Sequence, residues 1–481
     1  MSPSPLLAIA GLLAGCATAP IQDVPDNIRI PTGAQQGADT LSISTVWWSD
    51  FSDPALEDLI AESRAANFDL RAAAGRMQAA ASQAKAAGAP LWPQISASSG
   101  GTRQQQVFVG FPIPGQPGPV KTKSTSFGIS LDITWELDVW GRLGAGRAAA
   151  VADRQAAIAT YNGAKLSLEA QTAKAWFALT EAQLQHDLAQ ATLENHNTSV
   201  QQIETRYRRG VRTSLDLRLM KVERANARDR LQQARQRLAV AARQIEVILG
   251  RYPSGDYKAS LALPTLTRAV PPHIPAEIVA RRPDLVTAER RLAASVMRVK
   301  EAKRARYPRI SLTGSTGQTS DDLSNLLKGD FTVWRLVGNL VAPLFQGGRI
   351  QAGIDASKAR NEEAIAVFAS RVLSAYAEVE NTLEAEGFLA DREAALTEAS
   401  EEATAARSLA EDQYRSGLRD LITMLSAQRA AHTAASQLLA VRRHRLDARV
   451  NLHLALGGDF TNRNDVLSAG IQRSNSNGAA Q

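Results

Sequence analysis

Between Phe127 and Arg142 (FGISLDITWELDVWGR) every second residue is large and apolar: Phe127, Ile129, Leu131, Ile133, Trp135, Leu137 and Val139. Gly128, Ser130, Asp132, Thr134, Glu136 and Asp138 take the alternate positions. A period of 2 held over these thirteen residues predicts one long β-strand with an apolar face and a polar face. Ordinary strands run about 5–6 residues. One of this length fits a wall that crosses something thick, with lipid on one side and a wet lumen on the other. A long strand in a soluble sandwich shows the same alternation, so the rest of the chain has to decide.

Elsewhere the period is helical. No proline occurs from Leu143 to Tyr252, and Leu166, Ala170, Ala173, Phe177, Leu184, Leu188 and Ala191 fall on one helical face. A helix from about Gly146 to Arg209 is expected, about 100 Å long at 1.5 Å per residue, which makes it a rod. Gly210, in RYRRGVRTSLDL, breaks it, and a returning helix runs from about Thr213 to Leu249. Upstream, an Ala-rich helix from Asp53 to about Ala89 is closed by Pro90 and Pro93. A polar strand from about Ile95 to Phe111 and the loop PIPGQPGP then complete a hairpin with the opening strand. A fourth strand, about Phe331 to Phe345, alternates poorly, and Pro343 belongs at a strand end or edge.

The second half repeats the first. Asp69 and Leu70 match Asp284 and Leu285, and Pro93 and Ile95 match Pro308 and Ile310, all offset by 215. Tyr207 and Gly210 match Tyr414 and Gly417, and Leu249-Gly250 matches Leu456-Gly457, all offset by 207. A constant offset over so many residues marks a duplication. Each half is a short helix, two strands, a long helix, a turn and a shorter helix. The expected divisions are a signal peptide (1–15), a lipidated tether and wrap (16–52), a first repeat (53–250), an equatorial crossing (251–274), a second repeat (275–457) and a tail (458–481). Four strands cannot close a membrane barrel, which needs at least about eight and no free edge. The chain has to oligomerise, as a dimer of eight strands or a trimer of twelve.

Composition narrows this further. Aromatic residues make up only 5% of the 481, and alanine is abundant, as expected where helices pack closely on small residues. The formal charge of +7 is spread out, apart from an Arg-rich stretch from Arg206 to Arg243 and an acidic one from Glu378 to Glu402, so nucleic acid is not an expected partner. The N-terminal SPSPLLAIAGLLAGC has an apolar run too short to span a bilayer, which reads as an export signal. Leu13-Ala14-Gly15-Cys16 resembles the lipobox of bacterial lipoproteins, in which the cysteine is lipidated; an incidental cysteine is the alternative. By that resemblance, Ala17 suggests sorting to the outer membrane. No Lys or Arg precedes the apolar run, which puts the expected true start upstream of Met1.

WELDVWGRL (135–143), its repeat APLFQGGRI (342–350), the paired turns YRRGVRTSLDL and YRSGLRDLITML, and ARRPDLVTAERRL (280–292) together resemble the TolC family of outer-membrane efflux channels. The chain is most similar to the lipoprotein (NodT-type) branch that serves RND pumps, over residues from about Trp47 to Gly457. The resemblance implies a mostly α, mixed α and β fold. Long antiparallel helical hairpins form an α-barrel, and four strands per chain enter a homotrimeric twelve-stranded transmembrane β-barrel. It further implies an outer-membrane, lipid-anchored protein reaching into the periplasm, a periplasmic adaptor (membrane fusion protein) and an inner-membrane RND pump as partners, and a passive conduit without cofactor. In that family the turns form an adaptor-docking tip, here Arg209, Gly210 and Val211 with Ser416, Gly417 and Leu418. A closing lock falls on Tyr414, Arg419 and Asp216, and the family's two ring-forming aspartates fall on Thr423 and Ser426, which leaves Asp420 to supply charge. Tyr207 joins this gate set, although Tyr207 and Tyr414 equally suit hydrophobic capping of a hairpin end; the Arg206, Arg208, Arg209 and Arg212 cluster suits a solvated tip as well as an adaptor contact.

Catalysis finds no support in the residues. The six histidines are scattered without metal-ligand spacing, and no nucleophile elbow or phosphate-binding glycine loop occurs. The competing readings are the exit duct of a type I secretion system and a periplasmic coiled-coil scaffold without a pore.

Overall fold

A computed structural model of the protein describes residues 46–109, 119–266, 268, 270 and 281–458. The predicted signal peptide, Cys16, most of the tether, part of the equatorial crossing and the tail beyond Gly458 lie outside the described residues. A short 3-10 turn, Trp47–Phe51, leads into α1 (Pro54–Ala66), α2 (Phe68–Gly88), β1 (Gln94–Phe108), β2 (Val120–Leu137), α3 (Arg142–Arg208) and α4 (Ser214–Ile248). The second half supplies α5 (Pro283–Arg304), β3 (Arg309–Ser320), β4 (Thr332–Val341), α6 (Arg349–Arg415) and α7 (Leu421–Ala455). The helical hairpins of the two repeats match in length: α3 and α6 have 67 residues each, α4 and α7 have 35 each.

Two compact units divide these elements: residues 76–158 with 287–368, and residues 26–75, 159–286 and 369–481, over their described parts. The first holds one antiparallel sheet in the order β1-β2-β3-β4. Its register places Ile95, Ile133, Gly314 and Leu336 in one row, and Ala97, Leu131, Thr316 and Trp334 in the next, on a single apolar face. Ile95, Ile129, Leu131, Ile133, Trp334 and Leu336 on that face are exposed. The opposite face carries the row Ser96, Asp132, Ser315, Arg335. Toward the hairpin end the apolar parity changes, since Lys121, Lys123 and Thr125 precede Phe127. The apolar band from Phe127 to Leu137 measures about 33 Å along the strand, or about 25 Å high at a tilt of about 40°, which matches the apolar belt of an outer-membrane barrel.

The opening strand stops short of its expected end. It was predicted to reach Arg142, but β2 closes at Leu137 and α3 starts at Arg142. Asp138 turns the chain: its carboxylate accepts the amides of Leu143 (2.9 Å) and Gly144 (2.6 Å), capping α3. Gly141 takes the left-handed φ of +71° that such a turn requires. Glu136 pairs with Arg142 at 2.8 Å, and Arg304 donates to the Gly141 carbonyl. At the same level Trp135 donates to Leu91 O and Trp140 to Pro308 O, while Trp140 stacks on Tyr307. The WELDVWGR motif is thus a strand-to-helix corner framed by indoles, the side chains favoured where lipid meets water.

The helix expected from Asp53 to Ala89 is two helices. Asn67 interrupts it in an extended conformation; its Oδ1 accepts from Leu70 N and caps α2, and its Nδ2 donates to Ile248 O. Arg282, at the equivalent position of the second repeat, donates to Ala455 O. Ile248 and Ala455 are themselves related by the offset of 207, so both repeats tie the entry of one helix to the last turn of another. Arg282 adds ion pairs with Asp284 (2.9 Å) and Glu378 (2.6 Å).

The second unit is packed around Trp47, Trp48, Phe51, Leu56 and Ile60 against Trp176, Phe177, Leu179, Ile245, Leu249, Leu446 and Val450. Trp47, Trp48 and Phe51, assigned to the tether's end from sequence, are core: three aromatics cannot remain on a surface wrap when a hydrophobic seat is present. Among the described residues no helix is long and apolar enough to cross a membrane.

Candidate functional site

The helical turns define the site. α3 ends with Gly210 at φ +70°, Gly210 N donating to Tyr207 O and Val211 N to Arg206 O; α6 ends with Gly417 at φ +79°, Gly417 N donating to Tyr414 O and Leu418 N to Gln413 O. Both are Schellman endings, in which a left-handed glycine lets two amides turn back onto the last carbonyls. Three residues past each glycine the returning helix is capped: Thr213 Oγ1 accepts from Asp216 N (3.2 Å), and Asp420 Oδ1 from Thr423 N (2.7 Å). The Thr423 amide holds the Asp420 carboxyl below its ordinary value, so this exposed carboxylate stays ionised.

The two tyrosines part company here. Tyr207 is 42% exposed, whereas Tyr414 is 5% exposed and packs with Val200, Ile203, Leu217, Met220, Leu421, Met424 and Leu425. Arg212, from the α3–α4 turn, lies over the Tyr414 ring at 4.5 Å from its centroid. This cation–π contact joins the first turn to the end of α6. The Tyr414 hydroxyl is buried without a hydrogen-bond partner. Burial pushes it up, with Asp216 adding to the shift and Arg212 and Arg206 opposing it. Arg419 donates to Gln413 Oε1 (3.3 Å) rather than to Asp216. Within one protomer the three lock residues are not joined into a single network. Thr423 and Ser426 are exposed on the first turns of α7, and Arg209, Gly210, Val211, Ser416, Gly417 and Leu418 are exposed on the two turns.

Two features escaped the sequence reading. One is the Arg212–Tyr414 contact, which no spacing announces. The other is the pair Leu215 and Ile422, exposed apolar side chains beside the tip residues Val211 and Leu418 named from sequence, which are exposed as well. The offset of 207 relates them pairwise, a signal that was present in the sequence. No group of ligating side chains suited to a metal occurs among the described residues.

A sheet with one exposed apolar face and two open edges, and long helical hairpins ending in matched glycine turns, define a membrane channel subunit of strand-and-helix type. The model of the outer membrane efflux protein family matches residues 59–251 and 274–458. The pyoverdine export outer membrane protein OpmQ of Pseudomonas putida is 30% identical over 431 residues, 86% of this chain and 88% of that one. The outer membrane protein OprJ of Pseudomonas aeruginosa is 30% identical over 467 residues, 94% and 95% of the two chains. The solved outer-membrane channel OprN superposes with a TM-score of 0.81 at 28% identity, over 92% of this chain and 99% of that one. The chain belongs to the outer membrane efflux protein family. It is an efflux channel of the outer membrane and not an enzyme.

Proposed function

We propose that three copies join their sheets edge to edge, β4 of one to β1 of the next, into a twelve-stranded barrel continued by the helices, as the exit duct of a tripartite RND-type efflux system for small toxic compounds. The observation that carries this reading is the sheet itself: four strands, free edges at β1 and β4, and an apolar band of barrel height. The polar row containing Asp132 and Arg335 then faces the lumen. Asp132 is held in place by the hydroxyls of Ser98 (3.1 Å) and Ser130 (2.9 Å).

The turns at Gly210 and Gly417 form the periplasmic tip and the docking surface for an adaptor, whose contacts include Val211, Leu215, Leu418 and Ile422. Closure rests on Tyr414 seated in its apolar cluster under Arg212. Single-channel recording in planar bilayers tests this: the native protein shows a small conductance, and Tyr414→Ala, which removes the ring and its cation–π contact, raises it. The contact is worth about 0.5–2 kcal/mol, enough to hold a tip shut and weak enough for a docking partner to release. A native protein that inserts but never conducts defeats the channel reading. Lipid attachment at Cys16 supports the membrane location, and Cys16→Ala is expected to remove palmitate labelling and leave the strands as the sole attachment; equal labelling of native and variant contradicts it.

A further inference from the structure

Above the tip, the helices of the second unit enclose two histidines that the function described so far does not use. His196 on α3 is 5% exposed, and its Nδ1 is buried without a hydrogen-bond partner. His432 on α7 is half-buried, with Nδ1 3.4 Å from Thr192 Oγ1. The Thr192 hydroxyl proton is already given to Leu188 O at 2.7 Å, so its oxygen accepts and His432 carries its proton on Nδ1. His196 lies fourteen residues before Gly210 and His432 fifteen after Gly417, which puts both about 21 Å from their turns along their own helices.

The surroundings leave a new positive charge poorly matched. From α4, Glu223 and Arg230 face His196; from α6, Glu411 does; and Arg230 and His196 both act on His432. The two carboxylates are engaged elsewhere: Glu223 lies 4.0 Å from Arg429 of α7, and Glu411 accepts from Gln428 at 2.9 Å and lies 3.8 Å from Arg415. A proton on His196 places a charge in a packed seam, and a proton on His432 adds a second charge beside the first and beside Arg230. Burial, the largest influence on each, holds both histidines below the ordinary imidazole value; Glu223 and Glu411 oppose this at His196, and Arg230 reinforces it at both.

Resting on the channel reading above, we propose that His196 and His432 form an acid-sensitive latch: neutral, they let α7 lie against α3 and keep the tip closed; protonated, they drive the seam apart and open it. Groups whose proton affinity is depressed in the closed form favour that form above about pH 6.5, the ordinary histidine value, and withdraw their support as pH falls below it. Each histidine whose affinity differs by one unit between closed and open tips shifts the equilibrium about tenfold. Asp447, also in this unit, responds to pH in the other sense. Burial pushes it up to about 6, against the pull of Arg443 and Lys174, so the stability it lends is full at acid pH and is lost as pH rises through 6.

The test is single-channel conductance of the full-length native protein in planar bilayers at pH 7.5 and 5.5, beside a His196→Gln, His432→Gln double variant and the single His432→Gln variant. The glutamine amide keeps a hydrogen-bonding group at each site and cannot titrate. The expected result is open time rising about tenfold or more in the native protein at pH 5.5, a smaller rise in the single variant, and none in the double variant. Asp447→Asn should leave the acid response intact. The single variant, at the more exposed position, carries the test if the double variant does not assemble. A conducting native channel indifferent to pH overturns the latch alone, as does acid opening that persists undiminished in the histidine variants. Silence of native and Tyr414→Ala proteins at both pH values overturns the channel reading and the latch with it.

Discussion

Replacing Arg449 with alanine should lower the unfolding stability of the protein by about 3–5 kcal/mol, the range found when one partner of a buried ion pair is removed. Arg449 is 1% exposed and donates to Asp50 Oδ2 (3.0 Å), Glu386 Oε1 (2.7 Å) and the Arg268 carbonyl (2.9 Å). Without it two carboxylates stay in a buried core beside Trp47 and Phe51, with the His453 ring 3.4 Å from Asp50 and the Arg445 guanidinium 3.5 Å from Glu386. Burial works to raise the Asp50 carboxyl, but His453 and Arg449 outweigh it and hold it below its ordinary value. A depressed carboxyl stabilises the fold above about pH 4 and loses that contribution as pH falls through its folded value. Guanidinium unfolding followed by tryptophan fluorescence measures the loss, because Trp47 and Trp48 sit in this core. Arg442→Ala is the comparison: its pair with Glu393 is half-exposed, and removing it should cost no more than about 1 kcal/mol. Equal losses in the two variants would show that the buried network does not hold the core.

Gly317→Val should abolish the sheet. Gly317 faces Ser130 across the β2–β3 ladder, and a Cβ built on it would lie 2.1 Å from Ile129 O and 2.7 Å from Ser130 Cα. These are backbone atoms that cannot rotate away, so β3 has to leave β2. The cost exceeds about 4 kcal/mol, the level reached only by backbone clashes and similar faults. The measurement is the outer-membrane yield of heat-modifiable, SDS-resistant oligomer, expected to vanish. Gly314→Val is the control, since a Cβ there meets Leu336 Cδ1 at an ordinary 3.7 Å and points to the apolar face. Survival of the Gly317 variant at native yield would refute the close approach.

What the sequence made legible was whatever repeats or alternates. The period of 2 in Phe127–Leu137 and the offset of 207 between Gly210 and Gly417 are local or self-comparing signals, and they yielded the long strand, the matched helical hairpins and the turns. The end of β2 was misplaced because Val139 continues the alternation while Asp138 has already become a helix cap. β4 was poorly defined because Val333 and Val337 occupy its polar face; its register comes from pairing with β3, not from its own pattern. Asp50, Glu386 and Arg449 are separated by up to 399 residues, and no spacing rule joins them. The Arg212–Tyr414 contact was hidden for the same reason.

The order in which the strands become available carries its own consequence. β1 and β2 form a hairpin of near neighbours, but Phe127 pairs with Ser320, so the seam between β2 and β3 must wait until nearly two hundred further residues have been delivered. Until then the edge of β2 and its apolar face stand open in water, a state that invites strand pairing with other chains. Passage across the periplasm is therefore the hazardous interval in the life of this protein, and a holdase that covers the nascent hairpin would act on the first half of the chain before the second has emerged.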